Sequence, residues 1–183
     1  MVNLKTRDLV EISMLVALAL VLDFIAGIYS QWFWLQGGSV SISLAPLAIL
    51  SYKQGVKIGI FGGMLMGILQ LLTGAYIFHP VQLLLDYPLA FGALGLTGIW
   101  TKAVKNKENV TLVIIISTLL ASTMRFLSHT VSGYVFFRQW FPDDINPWLH
   151  SAIYNVGYVF MSWLASAVIL ILIYKYHPKL VRK

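Results

Sequence analysis

Apolar runs of membrane-spanning length recur along this chain and leave little room for any other kind of structure. Charged or turn-rich breaks divide the sequence into six predicted spans: 9–28, 39–52, 56–75, 81–101, 110–131 and 149–174. Only 11% of the residues are charged, whereas soluble domains carry about 25%. A bilayer core offers no water to backbone polar groups, so spans of this kind must be helical. The sequence therefore predicts an all-α integral membrane protein, a single six-helix bundle over residues 1–183.

Several kinds of chemistry are excluded by residues that the chain lacks. It has no cysteine, so disulfides, thiolate nucleophiles and thiolate metal ligands are not possible. It has no GxxxxGK[ST] sequence, so it is not expected to hydrolyse ATP. Span 1 is too long for a signal peptide, contains Asp23 and lacks a small-residue cleavage site, so we expect it to be retained. We expect no cofactor and no metal.

Lysine and arginine predict the orientation in the membrane. Eleven of the 13 lie at the termini and in alternate connections: Lys5, Arg7, Lys53, Lys57, Lys102, Lys105, Lys107, Lys175, Lys179, Arg182 and Lys183. Such residues are enriched on the cytoplasmic side, so both termini are predicted to be cytoplasmic. The same clustering explains the net charge of +6 better than nucleic-acid binding does. The connections 29–38, 76–80 and 132–148 are then expected to form the outer face.

Span 2 is short and interrupted. It contains Pro46 and carries Ser39, Ser41 and Ser43. Two interpretations stay open: a broken segment whose non-helical backbone lines a cavity, and an oblique helix with a proline kink.

Two stripes of glycine predict that spans 3 and 4 pack closely. Span 3 repeats glycine every four residues and span 4 every three, at Gly59, Gly63 and Gly67 and at Gly92, Gly95 and Gly98. Glycine at an interface lets helix backbones approach each other.

A carboxylate within span 4 is the strongest indication of function. Asp86 lies in the apolar stretch 81–96, where a charge is costly and normally has a partner or a task. Gln82 and Tyr87 flank it, and Tyr76 precedes it. It could instead form a buried ion pair with Arg125 that only joins helices.

Two further spans bring polar and aromatic groups to a similar depth. Span 5 places four residues along one face by their spacing of four: Arg125, His129, Gly133 and Phe137. Span 6 carries a stripe with Ser151, Tyr154, Asn155, Tyr158 and Ser162. Taken singly, His129 could be an interior histidine, and Tyr154 and Asn155 could be interhelical hydrogen-bond partners. Their convergence near the predicted outer end favours a binding site.

The residue types predict the ligand chemistry. Flat side chains suit a planar heteroaromatic ring by stacking: Trp34, Tyr87, His129, Phe137 and Tyr154. A carboxylate among aromatic faces suits a cation, and Asn155 could recognise a ring edge. The predicted ligand is a small, planar, nitrogen-rich cation taken from outside.

Four motifs in this order resemble the thiamin-specific S components of energy-coupling factor (ECF) transporters. They are Trp32-Phe33-Trp34-Leu35-Gln36-Gly37-Gly38-Ser39, Gln82 with Asp86-Tyr87, Arg125-x-x-x-His129-x-x-x-Gly133, and His150-Ser151-x-x-Tyr154-Asn155. The resemblance implies a non-enzymatic subunit in the bacterial cell membrane. It would capture thiamin at the outer face and join a transmembrane coupling protein and two ATPase subunits.

The resemblance also implies roles for individual residues. Trp34 would belong to a lid, Asp86 would hold the aminopyrimidine beside Tyr87, His129 would stack and Asn155 would hydrogen-bond. The full predicted set is Trp34, Tyr76, Asp86, Tyr87, Arg125, His129, Gly133, Phe137, His150, Tyr154 and Asn155. Four positions depart from the family pattern: Asp86 replaces Glu, Arg125 replaces Lys, Phe137 replaces Trp and His150 replaces Tyr.

Small residues on span 1 would dock the coupling protein in such a family. Here Ser13 and Ala17 are four apart, with Ala19 nearby. Packing within the monomer is the alternative.

Other functions stay open at this stage. The chain could bind another vitamin, such as riboflavin, or a thiamin precursor, and a ligand that lacks a cation would not need Asp86. It could be an intramembrane enzyme with Asp86 and His129 as acid and base, or a scaffold without a ligand.

Overall fold

The structure is a computed structural model that describes residues 5–34 and 37–181, and all regular secondary structure in these residues is helical. The helices are α1 (Thr6–Ser30), α2 (Leu44–Gln54), α3 (Val56–Thr73), α4 (Pro80–Lys105), α5 (Val110–Trp140), α6 (Pro147–Tyr176) and α7 (Pro178–Val181). Within the described ranges, α1 and α3 to α6 are long and apolar enough to cross a membrane. The predicted class, an all-α multi-pass membrane protein, is confirmed. The predicted motif residues Leu35 and Gln36 and the basic Arg182 and Lys183 lie outside the described residues.

The second predicted span divides into an extended segment and a short helix. Residues 38–42 are non-helical and precede the 11 residues of α2. Pro46 is the third residue of α2 and lies in its first turn. Backbone N–H groups in the first turn have no partner within the helix, so the missing N–H of proline breaks no helical hydrogen bond and causes no kink. The structure thus favours the broken segment over the kinked helix. Six membrane crossings and cytoplasmic termini stay predictions.

Side chains satisfy the backbone of the extended segment. The hydroxyl of Ser30 accepts from the Val40 amide at 3.0 Å, and the hydroxyl of Tyr29 donates to the Val40 carbonyl at 2.5 Å. Ser162 on α6 accepts from the Ser41 amide at 2.9 Å and donates to the Ser39 carbonyl at 3.1 Å. Buried backbone groups must find such partners. The segment is therefore held by α1 and α6.

Glycines bring the backbones of α3 and α4 into contact, as predicted. A Cβ atom on Gly63 would lie 2.2 Å from the Phe91 carbonyl oxygen, and one on Gly95 would lie 2.1 Å from the Ile60 nitrogen. Gly92 differs, because a Cβ there would meet the Met64 side chain at 2.8 Å. Close backbone contact fixes the position of α4 against α3.

Two π-helical turns interrupt α4 and α5 at the same end of the bundle. One covers Leu85–Leu89 and contains Pro88, and the other covers Gly133–Phe137. In the first turn, the Leu85 carbonyl accepts a hydrogen bond from the Ser128 hydroxyl of α5 at 2.6 Å. Such π-turns are frequent at functional sites because they turn side chains away from the regular helical positions. Here they set the directions of Asp86, Tyr87 and Phe137.

The small residues on α1 point in different directions. Ser13 and Ala17 lie on the exposed face of the helix, and Ala19 is fully buried in the core beside Val16. The prediction that Ala19 takes part in docking a partner is wrong, because its side chain faces the interior. With 3.6 residues per turn, Ala19 lies on a different face of the helix from Ser13 and Ala17.

Candidate functional site

A cavity of about 510 Å³ opens at the end of the bundle where the two π-turns lie. Its walls come from the second half of α1, Trp34, residues 37–39, the end of α3 with residues 74–76, and the beginnings of α4 and α6. The second half of α5 completes them. Ten of the eleven predicted residues line it: Trp34, Tyr76, Asp86, Tyr87, Arg125, His129, Gly133, Phe137, Tyr154 and Asn155. These side chains come from α4, α5 and α6 and from the connections that follow α1 and α3.

Asp86 is held by three donors. Its Oδ2 accepts from Nε2 of Gln82 at 2.7 Å and from the hydroxyl of Ser132 at 2.8 Å. Its Oδ1 lies 3.1 Å from Nδ1 of His129. The carboxylate pairs with His129 and not with Arg125, so the ion pair considered from the sequence is not formed. A carboxylate has about four acceptor positions, so Asp86 keeps capacity for a further donor.

His129 connects Asp86 to Arg125. Nε of Arg125 donates to Nε2 of His129 at 3.2 Å. Arginine has no acceptor, so Nε2 must accept, and the proton of the neutral imidazole lies on Nδ1. The Nδ1–H group is then directed at Asp86. The guanidinium of Arg125 lies over the ring of Phe91, 4.4 Å from its centroid, which fixes it at the cavity wall.

Tyr158 is the centre of the aromatic wall. Its ring makes edge contacts with Trp34, His129 and Tyr154, at centroid distances of 6.1, 5.9 and 6.3 Å. It is buried and lines the cavity. Gly38 packs so closely that a Cβ atom would lie 2.8 Å from the Tyr158 ring. The ring therefore supports the segment that carries Trp34.

The orientation of Asn155 is fixed by two neighbours. Its Nδ2 donates to the Ser151 carbonyl at 2.8 Å, and its Oδ1 accepts from the Tyr158 hydroxyl at 2.5 Å. Gly133 makes this arrangement possible, because a Cβ there would lie 2.2 Å from the Ser151 hydroxyl. Its Nδ2 also lies 3.4 Å from the Ser151 hydroxyl, and the side chain lines the cavity.

The rim beside α4 is tied to the carboxylate through Gln82. Its Nε2 donates to the Tyr76 carbonyl at 3.0 Å as well as to Asp86, and its Oε1 accepts from the Phe78 amide at 3.0 Å. The hydroxyl of Tyr87 accepts from the Tyr76 amide at 3.0 Å. The connection 74–79 is therefore held in place by side chains of α4.

His150 is the predicted residue that does not line the cavity. Its ring packs against Phe141, with centroids 4.2 Å apart, and Phe141 lies in the wall. Other lining residues were absent from the predicted set, among them the polar Asp23, Gln70 and Tyr158. Asp23 carried the same signal as Asp86, a carboxylate within an apolar span.

Comparisons with known proteins identify the family. Residues 9–182 match the family described as "Thiamine transporter protein (Thia_YuaJ)". The chain belongs to this thiamine transporter family. It is 35% identical to "Thiamine transporter ThiT" of Bacillus subtilis (strain 168), covering 95% of this chain and 93% of the relative. The corresponding protein of Lacticaseibacillus paracasei is 27% identical, with 77% of this chain and 75% of the relative covered.

A solved structure agrees with this family. The fold resembles that of ThiT from Listeria monocytogenes with a TM-score of 0.80 and 27% sequence identity, covering 96% of this chain and 97% of that one. Members of the family are named as transporters, which confirms the prediction of a non-enzymatic transport role. The acid–base interpretation of Asp86 and His129 is not supported.

Proposed function

We propose that this chain is the thiamin-binding S component of an ECF importer and that thiamin occupies the 510 Å³ cavity. The observation that carries the proposal is the carboxylate of Asp86, held by three donors among aromatic rings, in a chain of the thiamine transporter family. The cavity has the size of ordinary small-molecule sites, which measure about 300–1,000 Å³.

The chemistry of thiamin fits these walls. Its aminopyrimidine carries an N–H₂ donor that the free acceptor capacity of Asp86 can take, and its thiazolium is a planar cation. The rings of Trp34, Tyr154 and Tyr158 offer faces and edges for planar groups. Asn155 lines the cavity, and an amide side chain can hydrogen-bond a ring edge. Charge and shape thus favour this vitamin over an uncharged one.

The partners in uptake follow from the same proposal. The chain would bind a transmembrane coupling protein and, through it, two ATPase subunits. Ser13 and Ala17 support a docking face on α1, since both are exposed and small enough for close helix contact. Buried Ala19 is no part of that face.

Titration of the purified protein with thiamin tests the proposal. We expect saturable quenching of tryptophan fluorescence, because Trp34 lines the cavity. A Trp34→Phe variant should lose most of the quenching and still bind thiamin in calorimetry. Riboflavin serves as the control ligand, because it is planar but uncharged. Saturation by riboflavin and none by thiamin would assign the chain to another vitamin.

Removing one hydroxyl tests the role of Asn155. In a Tyr158→Phe variant the ring contacts remain, but the 2.5 Å hydrogen bond that orients the Asn155 amide is lost. One such bond contributes about 1 kcal/mol, so the Kd for thiamin should rise about fivefold. Calorimetry on the variant and the wild-type protein measures the change. An unchanged Kd would show that the amide needs no fixed orientation.

A further inference from the structure

Asp23 is a second carboxylate of the cavity wall, on α1 and distant in sequence from Asp86. Its Oδ1 accepts from the hydroxyl of Ser39 at 3.4 Å and from that of Ser43 at 3.3 Å. Its Oδ2 accepts from Nε2 of Gln70, near the end of α3. One side chain therefore joins α1, α3 and both ends of the segment 39–43.

These contacts are the means by which the carboxylate is stabilised. Asp23 is 9% exposed, and no basic side chain pairs with it in the part of the chain that the structure describes. A buried charge without a counterion depends on its hydrogen bonds. The three donors satisfy it, and in return it fixes their positions.

The segment that Asp23 holds has no regular structure of its own. Its backbone groups bond to Ser30, Tyr29 and Ser162, as described above, and the Ser43 amide donates to the Ser41 hydroxyl at 3.1 Å. The described residues of the chain form no strand with which it could pair. It continues directly into Gly37 and Gly38 of the cavity wall, where the Gly37 carbonyl accepts from the Tyr154 hydroxyl at 2.6 Å. Loosening residues 39–43 would therefore loosen the wall that Trp34 closes.

We propose that Asp23 is a positioning residue that fastens the segment 39–43 to α1 and α3 and thereby slows the release of bound thiamin. This inference rests on the proposed function, since it assigns a task within the same cavity. The three donors of Asp23 belong to the segment 39–43 and to α3, so its contacts fix the wall. We therefore assign Asp23 an action through the wall and leave the direct contact with the ligand to Asp86.

Two readouts test the inference, and one of them needs no ligand. The chain has no cysteine, so Ser41→Cys introduces a single thiol at a position that is 1% exposed and outside the cavity wall. Its rate of maleimide labelling reports opening of the segment. Asp23→Asn in this background should raise the labelling rate about tenfold, the effect of one lost hydrogen bond to a charge. Asp143→Asn, the same change at an exposed loop position, should leave it unchanged.

Stopped-flow fluorescence with thiamin gives the second readout. Asp23→Asn should raise the dissociation rate about tenfold and change the association rate less than about twofold. Ser43→Ala should shift both readouts in the same direction by a smaller factor, since Ser43 contacts Asp23 but does not line the cavity. If the Asp23→Asn variant does not fold, the Ser43→Ala variant still tests the inference. A variant that is only destabilised would have a lower midpoint of thermal unfolding, but its dissociation rate would not rise more than its association rate changes.

The outcomes separate this inference from the proposed function. Faster labelling together with faster release supports it. Faster release with unchanged labelling would mean that Asp23 touches the ligand, and unchanged release with faster labelling would mean that the segment does not retain it. Either result overturns the inference. Faster labelling in a protein that binds no thiamin supports the fastening role and refutes the proposed function.

Discussion

Replacing Asp86 by asparagine should weaken thiamin binding about 100-fold, a loss of about 3 kcal/mol. Asparagine has nearly the same shape but no negative charge, so the attraction for a cationic ligand disappears. It also presents an N–H₂ group to a site where Gln82, Ser132 and His129 all donate. One of these donors then faces another donor, and the side chain can no longer accept from the aminopyrimidine. Isothermal titration of the purified variant measures the Kd.

The exposed Asp143 provides the matched control. Asp143→Asn makes the same change in charge in the connection 141–146, outside the cavity wall, and should leave the Kd unchanged. Thermal unfolding of Asp86→Asn without ligand shows whether the variant is folded. If folded Asp86→Asn binds thiamin within threefold of the wild-type protein, Asp86 does not hold the ligand.

Replacing Gly63 by alanine should destabilise the fold by about 2 kcal/mol. The new Cβ would lie 2.2 Å from the Phe91 carbonyl oxygen and 3.0 Å from the Gly92 Cα. These are backbone atoms of α4, so the whole helix must move away from α3. The gain in helix propensity from glycine to alanine is about 1 kcal/mol and offsets only part of the cost. Denaturant titration of the purified protein measures the change in stability.

Gly92→Ala is the control for this effect. Its Cβ would meet the Cγ of Met64 at 2.8 Å, and a methionine side chain can rotate away. We expect a change of less than about 0.5 kcal/mol. Equal losses of stability in the two variants would show that the backbone contact does not determine the packing of α3 on α4.

The sequence was sufficient for the helical class and for the glycine contact, because both follow from local rules. Apolar runs in a bilayer must be helical, and glycine at spacings of three or four lies on one face. Span 2 could not be resolved in this way. Whether Pro46 kinks a helix or begins one depends on where α2 starts, and that start is set by the contacts of residues 39–43 with α1 and α6.

The candidate site was predictable where one residue was unusual in its own surroundings. Asp86 stands out in an apolar run, and so does Asp23, whose partners are 16, 20 and 47 positions away in the sequence. Nothing in the sequence connects Asp23 to Ser39, Ser43 and Gln70. His150 shows the opposite case: it is four residues from Tyr154, but its ring packs against Phe141 and does not line the cavity. The π-turns change the directions of side chains, and the regular helical period of 3.6 residues does not predict this change.

A crystal structure of the protein grown with saturating thiamin tests the central claim most directly. We predict density for the vitamin within the cavity, with the aminopyrimidine in hydrogen-bond contact with Asp86 and the rings of Trp34 and Tyr158 beside it. Thiamin bound elsewhere with the cavity unoccupied, or bound in the cavity without contact to Asp86, would contradict the account.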